Sequence, residues 1–115
     1  SNNAADAETK KALQEEIANI NALIKALQEK DAELDKKIAE TLKHICNSEN
    51  RRLKKYNVNR LQESDAEEII ASLQIIASAY KMAENLNGGQ ESIIKEIKNI
   101  YESNVEKYAP YVLNY

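Results

Sequence analysis

The residues of this sequence that could ligate a metal or act as catalytic bases are few and poorly spaced for either task. The only histidine is His44, and the only cysteine, Cys46, follows two residues later. On a helix these side chains point about 200° apart, so they do not converge on one ion. Carboxylate-bridged metal sites in helical bundles use Glu-x-x-His twice, whereas Glu40 lies four residues before His44. The sequence therefore predicts no metal, no cofactor and no catalytic residue, and hence a non-enzymatic protein.

A short basic segment is the feature best suited to bind anions. Residues 48–63 carry five basic and two acidic side chains, in a chain whose net charge is −3. Tyr56 could stack on a base beside phosphate contacts made by the five cations, or the cations could instead complement the preceding helix C-terminus. Nucleic-acid-binding domains usually have a high pI, and the pI here is about 5.3, so we expect weak nucleic-acid binding at most. The candidate anion contacts are Arg51, Arg52, Lys54, Lys55 and Arg60.

Tyrosine is the only aromatic residue type, with six copies and neither Phe nor Trp. Tyrosine is enriched at the energetic centres of protein interfaces. The tyrosines near the C-terminus could therefore form a surface for a protein partner, or they could fill the end of the core in place of Phe and Trp. The candidate partner patch is Tyr101, Tyr108, Tyr111 and Tyr115.

The composition predicts an all-α fold. Two Gly and one Pro in 115 residues leave the chain with few residues that interrupt helices. A single cysteine excludes a disulfide within the chain, and no apolar run approaches the roughly 20 residues of a membrane span. We therefore expect a soluble protein, either cytoplasmic or exported and processed. Residues 1–5 we interpret as a disordered N-terminus or a remnant of processing or cloning.

The first long segment, residues 6–50, has the heptad pattern of a coiled coil. Large apolar side chains recur at steps of three and four residues over roughly five heptads, with mostly Ile at position a and mostly Leu at d, which favours two-stranded pairing. With Ile17 as the first position a, the third is Asp31, a polar residue of the kind that penalises wrong registers. We call this set of residues the predicted seam: Leu13, Ile17, Ile20, Ile24, Leu27, Asp31, Leu34, Ile38 and Ile45.

The rest of the chain predicts two shorter helices joined as a hairpin. After the basic connecting segment 51–63, Ser64 and Glu67 match a capping box, and a broad apolar pattern follows. Asn87 or Gly88 could supply the left-handed residue that ends this helix, and the short "NGG" link makes the pair antiparallel. We therefore predict a helical hairpin over residues 64–109, followed by an extended tail over 110–115 because Pro110 stops the helix.

The predicted function follows from the lengths of the three predicted helices. A first helix of about 40 residues is about 60 Å long, whereas each hairpin helix is about 30 Å, so the hairpin can cover only the C-terminal half of the seam. The residues near Asp31 include no Gly or Pro, so nothing in the sequence favours a fold-back of the first helix there. We therefore expect the uncovered half to pair with a second copy, parallel or antiparallel. The predicted function is a non-enzymatic oligomerising interaction module, a coiled-coil homodimer. The alternatives are a small monomeric helical bundle (inhibitor, immunity or chaperone type) that docks another protein, and weak nucleic-acid binding through residues 51–60.

Overall fold

A computed structural model of the chain describes residues 2–86 and 88–113. These residues contain three α-helices and no strand: α1 is Asn2–Leu53, α2 is Glu63–Glu84 and α3 is Glu91–Val112. The chain divides into two compact units, Ser1–Glu33 and Leu34–Tyr115. The second unit holds the C-terminal part of α1 together with α2 and α3. The prediction of an all-α fold, with a long first helix and a helical hairpin, is confirmed.

The first helix begins earlier than the sequence predicted. We expected a start near Asp6 after a disordered segment, but α1 begins at Asn2. The run around Ala4, Ala5 and Ala7 explains the difference, because alanine has the highest helix propensity. Asp31 is helical. Because α1 ends at Leu53, residues 51–53 of the basic connecting segment are helical too.

The connection from α1 to α2 is shaped by asparagine. The Tyr56 N–H donates to the Leu53 carbonyl at 3.1 Å, and the Arg60 N–H donates to the Asn57 carbonyl at 2.9 Å. The Asn57 side chain accepts the Asn59 N–H at 2.9 Å. Such a turn gives the backbone an alternative to helical hydrogen bonds, and it accounts for the helix break that this stretch predicts.

The second helix is capped two residues earlier than predicted. We assigned the capping box to Ser64 and Glu67, but α2 begins at Glu63, with Gln62 as its N-cap. The Asp65 carboxylate accepts the Gln62 N–H at 3.0 Å. A carboxylate in the first turn is a strong acceptor that the helix dipole also favours, so Asp65 sets the start of the helix in place of Ser64.

In the turn between α2 and α3, the residue with a positive φ also differs from the one that the sequence predicted. Asn87 lies outside the described residues, and Gly88 does not adopt a positive φ. The left-handed residue is Gly89, with φ of +100°, a conformation that only glycine adopts readily. The Gly89 N–H donates to the Glu91 side chain at 3.3 Å, so the first acid of α3 places the turn one residue later than we expected.

The third helix continues through Pro110, so the predicted extended tail is wrong for residues 110–112. Proline removes one helical hydrogen bond, but this occurs in the last turn, and the Leu113 N–H still donates to the Ala109 carbonyl at 3.1 Å. The continued helix buries Val112, which is 2% exposed. We attribute the continuation to that burial, which offsets the lost hydrogen bond.

The core of Leu34–Tyr115 lies where one face of α1 meets the hairpin. On α1 this face is Ala39, Leu42, Cys46 and Leu53, and the first three each follow one residue after position a or d of the predicted heptad. The hairpin packs on the C-terminal half of α1, as expected, but it covers this neighbouring row and leaves the seam side chains of that half exposed. Ala39 and Cys46 on this face are fully buried, whereas Ile38 and Ile45 beside them remain 42% and 37% exposed. The core residues are Leu42, Cys46, Leu53, Ala66, Ile69, Ile76, Ala79, Ala83, Ile97, Tyr108 and Val112.

Candidate interaction surface

An exposed apolar stripe runs along α1 within Ser1–Glu33. Six large aliphatic side chains there are between 46% and 64% exposed. Five of them belong to the predicted seam, and Leu23 widens it. Monomeric proteins rarely leave so many large aliphatic side chains in one contiguous row, and such rows mark interaction sites. The six are Leu13, Ile17, Ile20, Leu23, Ile24 and Leu27.

A second apolar surface lies within Leu34–Tyr115. The seam residues Leu34, Ile38 and Ile45 are 52%, 42% and 37% exposed, and Ile75 and Met82 on α2 are 43% and 56% exposed. The hairpin therefore leaves the seam open and adds apolar side chains of its own beside it. Each unit thus presents an uncovered apolar row on α1.

Between α1 and α2 the second surface forms a groove of about 470 Å³. Its lining is aliphatic except for two neutral polar side chains, Gln74 and Ser78. No charged group lines it, so an occupant must be apolar at the contact. We call this the α1–α2 groove; its lining residues are Leu42, Ile45, Ala71, Gln74, Ile75, Ser78, Ala79 and Met82.

A row of polar contacts fixes α1 against the hairpin, and sequence reasoning missed it. The Ser72 hydroxyl donates to the buried Glu49 carboxylate at 2.9 Å. The Asn104 amide donates to Asn50 at 2.9 Å. Further along, the Tyr108 hydroxyl donates to the Leu53 carbonyl at 2.6 Å. A signal was present, because Ser72 and Asn104 occupy positions that helical periodicity assigns to the core, and buried polar groups require partners.

The basic segment contacts neighbouring side chains of its own chain. All five candidate cations are exposed, but the Arg52 guanidinium lies 3.4 Å from Glu49 and Arg51 donates to Ser48 at 3.3 Å. The Tyr56 hydroxyl donates to Glu68, and this hydrogen bond raises the pKa of Tyr56 to about 12. Tyr56, which could have stacked on a base, thus donates its hydroxyl hydrogen bond to a carboxylate of its own chain.

The four C-terminal tyrosines do not form one patch. Tyr108 is buried in the core at 1% exposure, whereas Tyr111 is 41% exposed. The Tyr101 ring packs against Tyr80 with centroids 5.4 Å apart, and Tyr115 lies outside the described residues. Two of the four therefore serve the core of the hairpin, the role we weighed as the alternative.

Cys46 and His44 lie in different environments on α1. Cys46 is fully buried, and desolvation, reinforced by Glu49, raises the pKa of its thiol to about 11. His44 is exposed. Among the described residues, no group of His, Cys, Asp and Glu side chains could hold a metal ion.

Two further observations bear on the class of protein. Across residues 2–86 and 88–113, none of the helices combines the length and apolar character needed to cross a bilayer. Comparison of the chain with protein-family models, with curated proteins and with solved structures gave no match. The exposed apolar stripe is therefore the feature from which a function has to be inferred.

Proposed function

We propose that the chain is a non-enzymatic interaction module that forms a homodimer through the predicted seam on α1. The observation that carries this proposal is the exposure of the eight apolar seam side chains, which range from 37% to 62%. Burying a half-exposed Leu or Ile contributes about 1 kcal/mol. Eight in each of two copies contribute on the order of 10 kcal/mol, the magnitude that a tight dimer requires.

A second copy suits this surface because the seam has the same repeat that a partner helix must have. A strict heptad spacing keeps one stripe facing another helix only if that helix has the same period. Mostly Ile at position a and mostly Leu at position d is the combination that favours two strands. Asp31, exposed on α1, weakens the seam at one layer and disfavours shifted registers.

The test is the absolute mass in solution, measured by light scattering over a dilution series in the presence of reductant. We expect about twice the 13.0 kDa of one chain at low micromolar concentration. Ile24→Lys places a charge in the seam and should give a monomer, because an unpaired buried charge opposes association. Ala22→Lys is the matched control, since residue 22 lies on the opposite face of the heptad, and it should remain a dimer.

A monomeric wild-type chain would contradict the homodimer. It would instead favour the alternative of a small helical-bundle protein that docks a different partner on the same apolar stripe. Nucleic-acid binding through residues 51–60 gains no support from the contacts of Arg51, Arg52 and Tyr56 with their own chain. Retention of oligonucleotides that falls steeply with salt would be the evidence for that function.

A further inference from the structure

Four exposed, uncharged residues of α2 repeat the spacing of the seam. Ala71, Ile75, Ser78 and Met82 follow one another at steps of four, three and four residues, and all four are exposed. On α1 the same steps connect positions 34, 38, 41 and 45. Ile45 lines the α1–α2 groove together with all four α2 residues. The uncovered surface of Leu34–Tyr115 is thus two helices wide.

This geometry calls for a helix as the occupant. A groove between two helices that each present residues at heptad spacing accepts side chains from a third helix with the same repeat. The lining carries no charge, so the occupant must present an uncharged stripe there. Residues 38, 41 and 45 of a second copy, Ile, Thr and Ile, satisfy both conditions.

We propose that each α1–α2 groove receives α1 of a second copy in a parallel, in-register arrangement, so that this end of the dimer is a four-helix core of two α1 and two α2 helices. This inference rests on the proposed function and specifies its interface. It extends the contact surface from α1 to α2, and it assigns Ile75 and Met82 to the interface.

Charge complementarity along the seam selects the parallel direction. In a parallel pair, a residue at position g lies beside the e residue five positions later in the other strand, which sets Lys30 beside Asp35 twice. The same arrangement sets the two Asp31 carboxylates opposite each other in the seam, and Lys30 of each copy, at position g, lies next to Asp31 of the other copy and screens this repulsion. In an antiparallel pair, position g of one copy lies beside position g of the other. In the register that aligns Asp31 of one copy with Leu34 of the other, Lys30 of one copy therefore lies beside Lys37 of the other, and these like charges repel.

The position of Lys37 is consistent with this direction. At position g, Lys37 of the second copy lies beside Leu42 at position e of the first, and Leu42 lines the groove. A lysine can lay its aliphatic stem over apolar surface while its ammonium group stays in water. The groove is then closed by an apolar stem with no buried charge.

The first experiment compares dimer dissociation constants for single substitutions. Ile75→Glu and Met82→Glu should each weaken the dimer at least about tenfold, because each places a carboxylate in a desolvated contact. Asn99→Glu, on an exposed position of α3, is the matched control and should change the constant less than about twofold. Both α2 side chains are exposed in the single chain, and circular dichroism checks that each variant folds.

The second experiment tests direction with Ile20→Cys in a Cys46→Ala background. In the parallel dimer the two introduced thiols face each other and form a disulfide under mild oxidation. In the antiparallel registers that bury the seam, residue 20 lies opposite residues 38 to 45, so the thiols are separated by about 27 Å or more. Ala22→Cys in the same background should cross-link slowly, because it lies outside the seam.

The outcomes separate this inference from the proposed function. If Ile24→Lys dissociates the dimer but Ile75→Glu and Met82→Glu leave it unchanged, the homodimer stands and the docking of a second copy in the groove is overturned. A dimer that does not cross-link through residue 20 would overturn the parallel direction. A monomeric wild-type chain would overturn both proposals. Weakening by both α2 substitutions together with rapid cross-linking at residue 20 would support the four-helix core.

Discussion

At the scale of single residues, polar side chains fix the register between α1 and the hairpin. Glu49, Asn50 and Leu53 on α1 each hold a hydrogen bond from α2 or α3. Apolar packing tolerates sliding by part of a turn, whereas a buried hydrogen bond that slides loses its partner and leaves a desolvated group. These three contacts therefore specify one alignment, and the Glu49 carboxylate also acts on the buried thiol of Cys46.

Cys46 gives a pH prediction. Burial, with the Glu49 carboxylate as the second cause, raises the pKa of its thiol from 9.0 to about 11. The folded chain then binds the thiol proton more tightly than the unfolded chain. This contribution is fully present below pH 9 and is lost as the pH rises from about 9 to about 11. Tyr56, whose pKa is raised from 10.0 to about 12 by its hydrogen bond to Glu68, adds a smaller loss between those pH values, because solvent screens this exposed pair.

The measurement is the free energy of unfolding in urea as a function of pH, at one protein concentration. Wild type should lose stability between about pH 9 and pH 11. Cys46→Ala should lose less over that interval, and Tyr56→Phe in the same background should flatten the curve further towards pH 12. Identical slopes for wild type and Cys46→Ala would show that the thiol titrates equally in the folded and unfolded chains.

At the scale of elements, helical periodicity predicts the helices but does not determine which face of α1 packs against the hairpin. The heptads of residues 6–50 predicted a long helix, and α1 is one. The same repeat did not tell which stripe the hairpin covers, because Ala39 and Cys46 carry weak hydrophobic signals beside Ile38 and Ile45. The buried face of α1 depends on how this helix packs against the hairpin, which is a tertiary property that the sequence of one helix does not display.

The ends of elements were also less predictable than their middles. Ser64 is the better N-cap by residue type, yet Gln62 takes that position because the Asp65 carboxylate accepts the Gln62 N–H. Gly88 and Gly89 are equally able to adopt a positive φ, so the side chain of Glu91 selects one. Pro110 reads as a stop, yet the burial of Val112 extends the helix beyond it. In each case a tertiary contact decided between local alternatives of similar energy.

The last turn of α3 gives an element-scale prediction. Val112→Ala should lower the free energy of unfolding by about 2 kcal/mol, because it removes buried methyl groups and leaves a cavity. Leu113→Ala removes a larger side chain that is 79% exposed, so it should change the stability by less than about 0.5 kcal/mol. Urea unfolding at a single protein concentration measures both. Equal effects would contradict the helical continuation past Pro110.

At the scale of the whole molecule, a dimer couples stability to concentration. If two copies unfold together, mass action raises the melting temperature as the protein is concentrated. With about 0.7 kcal/mol of unfolding enthalpy per residue, two chains of 115 residues give a rise of about 3 °C for each tenfold increase in concentration. Ile24→Lys should show no such rise. A wild-type melting temperature independent of concentration would contradict folding coupled to pairing.

The two stripes of α1 have a consequence for how the module could change over time. The hairpin packs on residues 39, 42, 46 and 53, whereas the seam follows a neighbouring row. If the proposed homodimer forms through the seam, different residues of the same helix determine the pairing preference and the tertiary fold. Residues 13 to 27 could be recoded with another heptad, giving a new pairing preference, while the row that carries the hairpin keeps its sequence. Chains of this kind could therefore evolve different pairing partners while they keep the same tertiary fold.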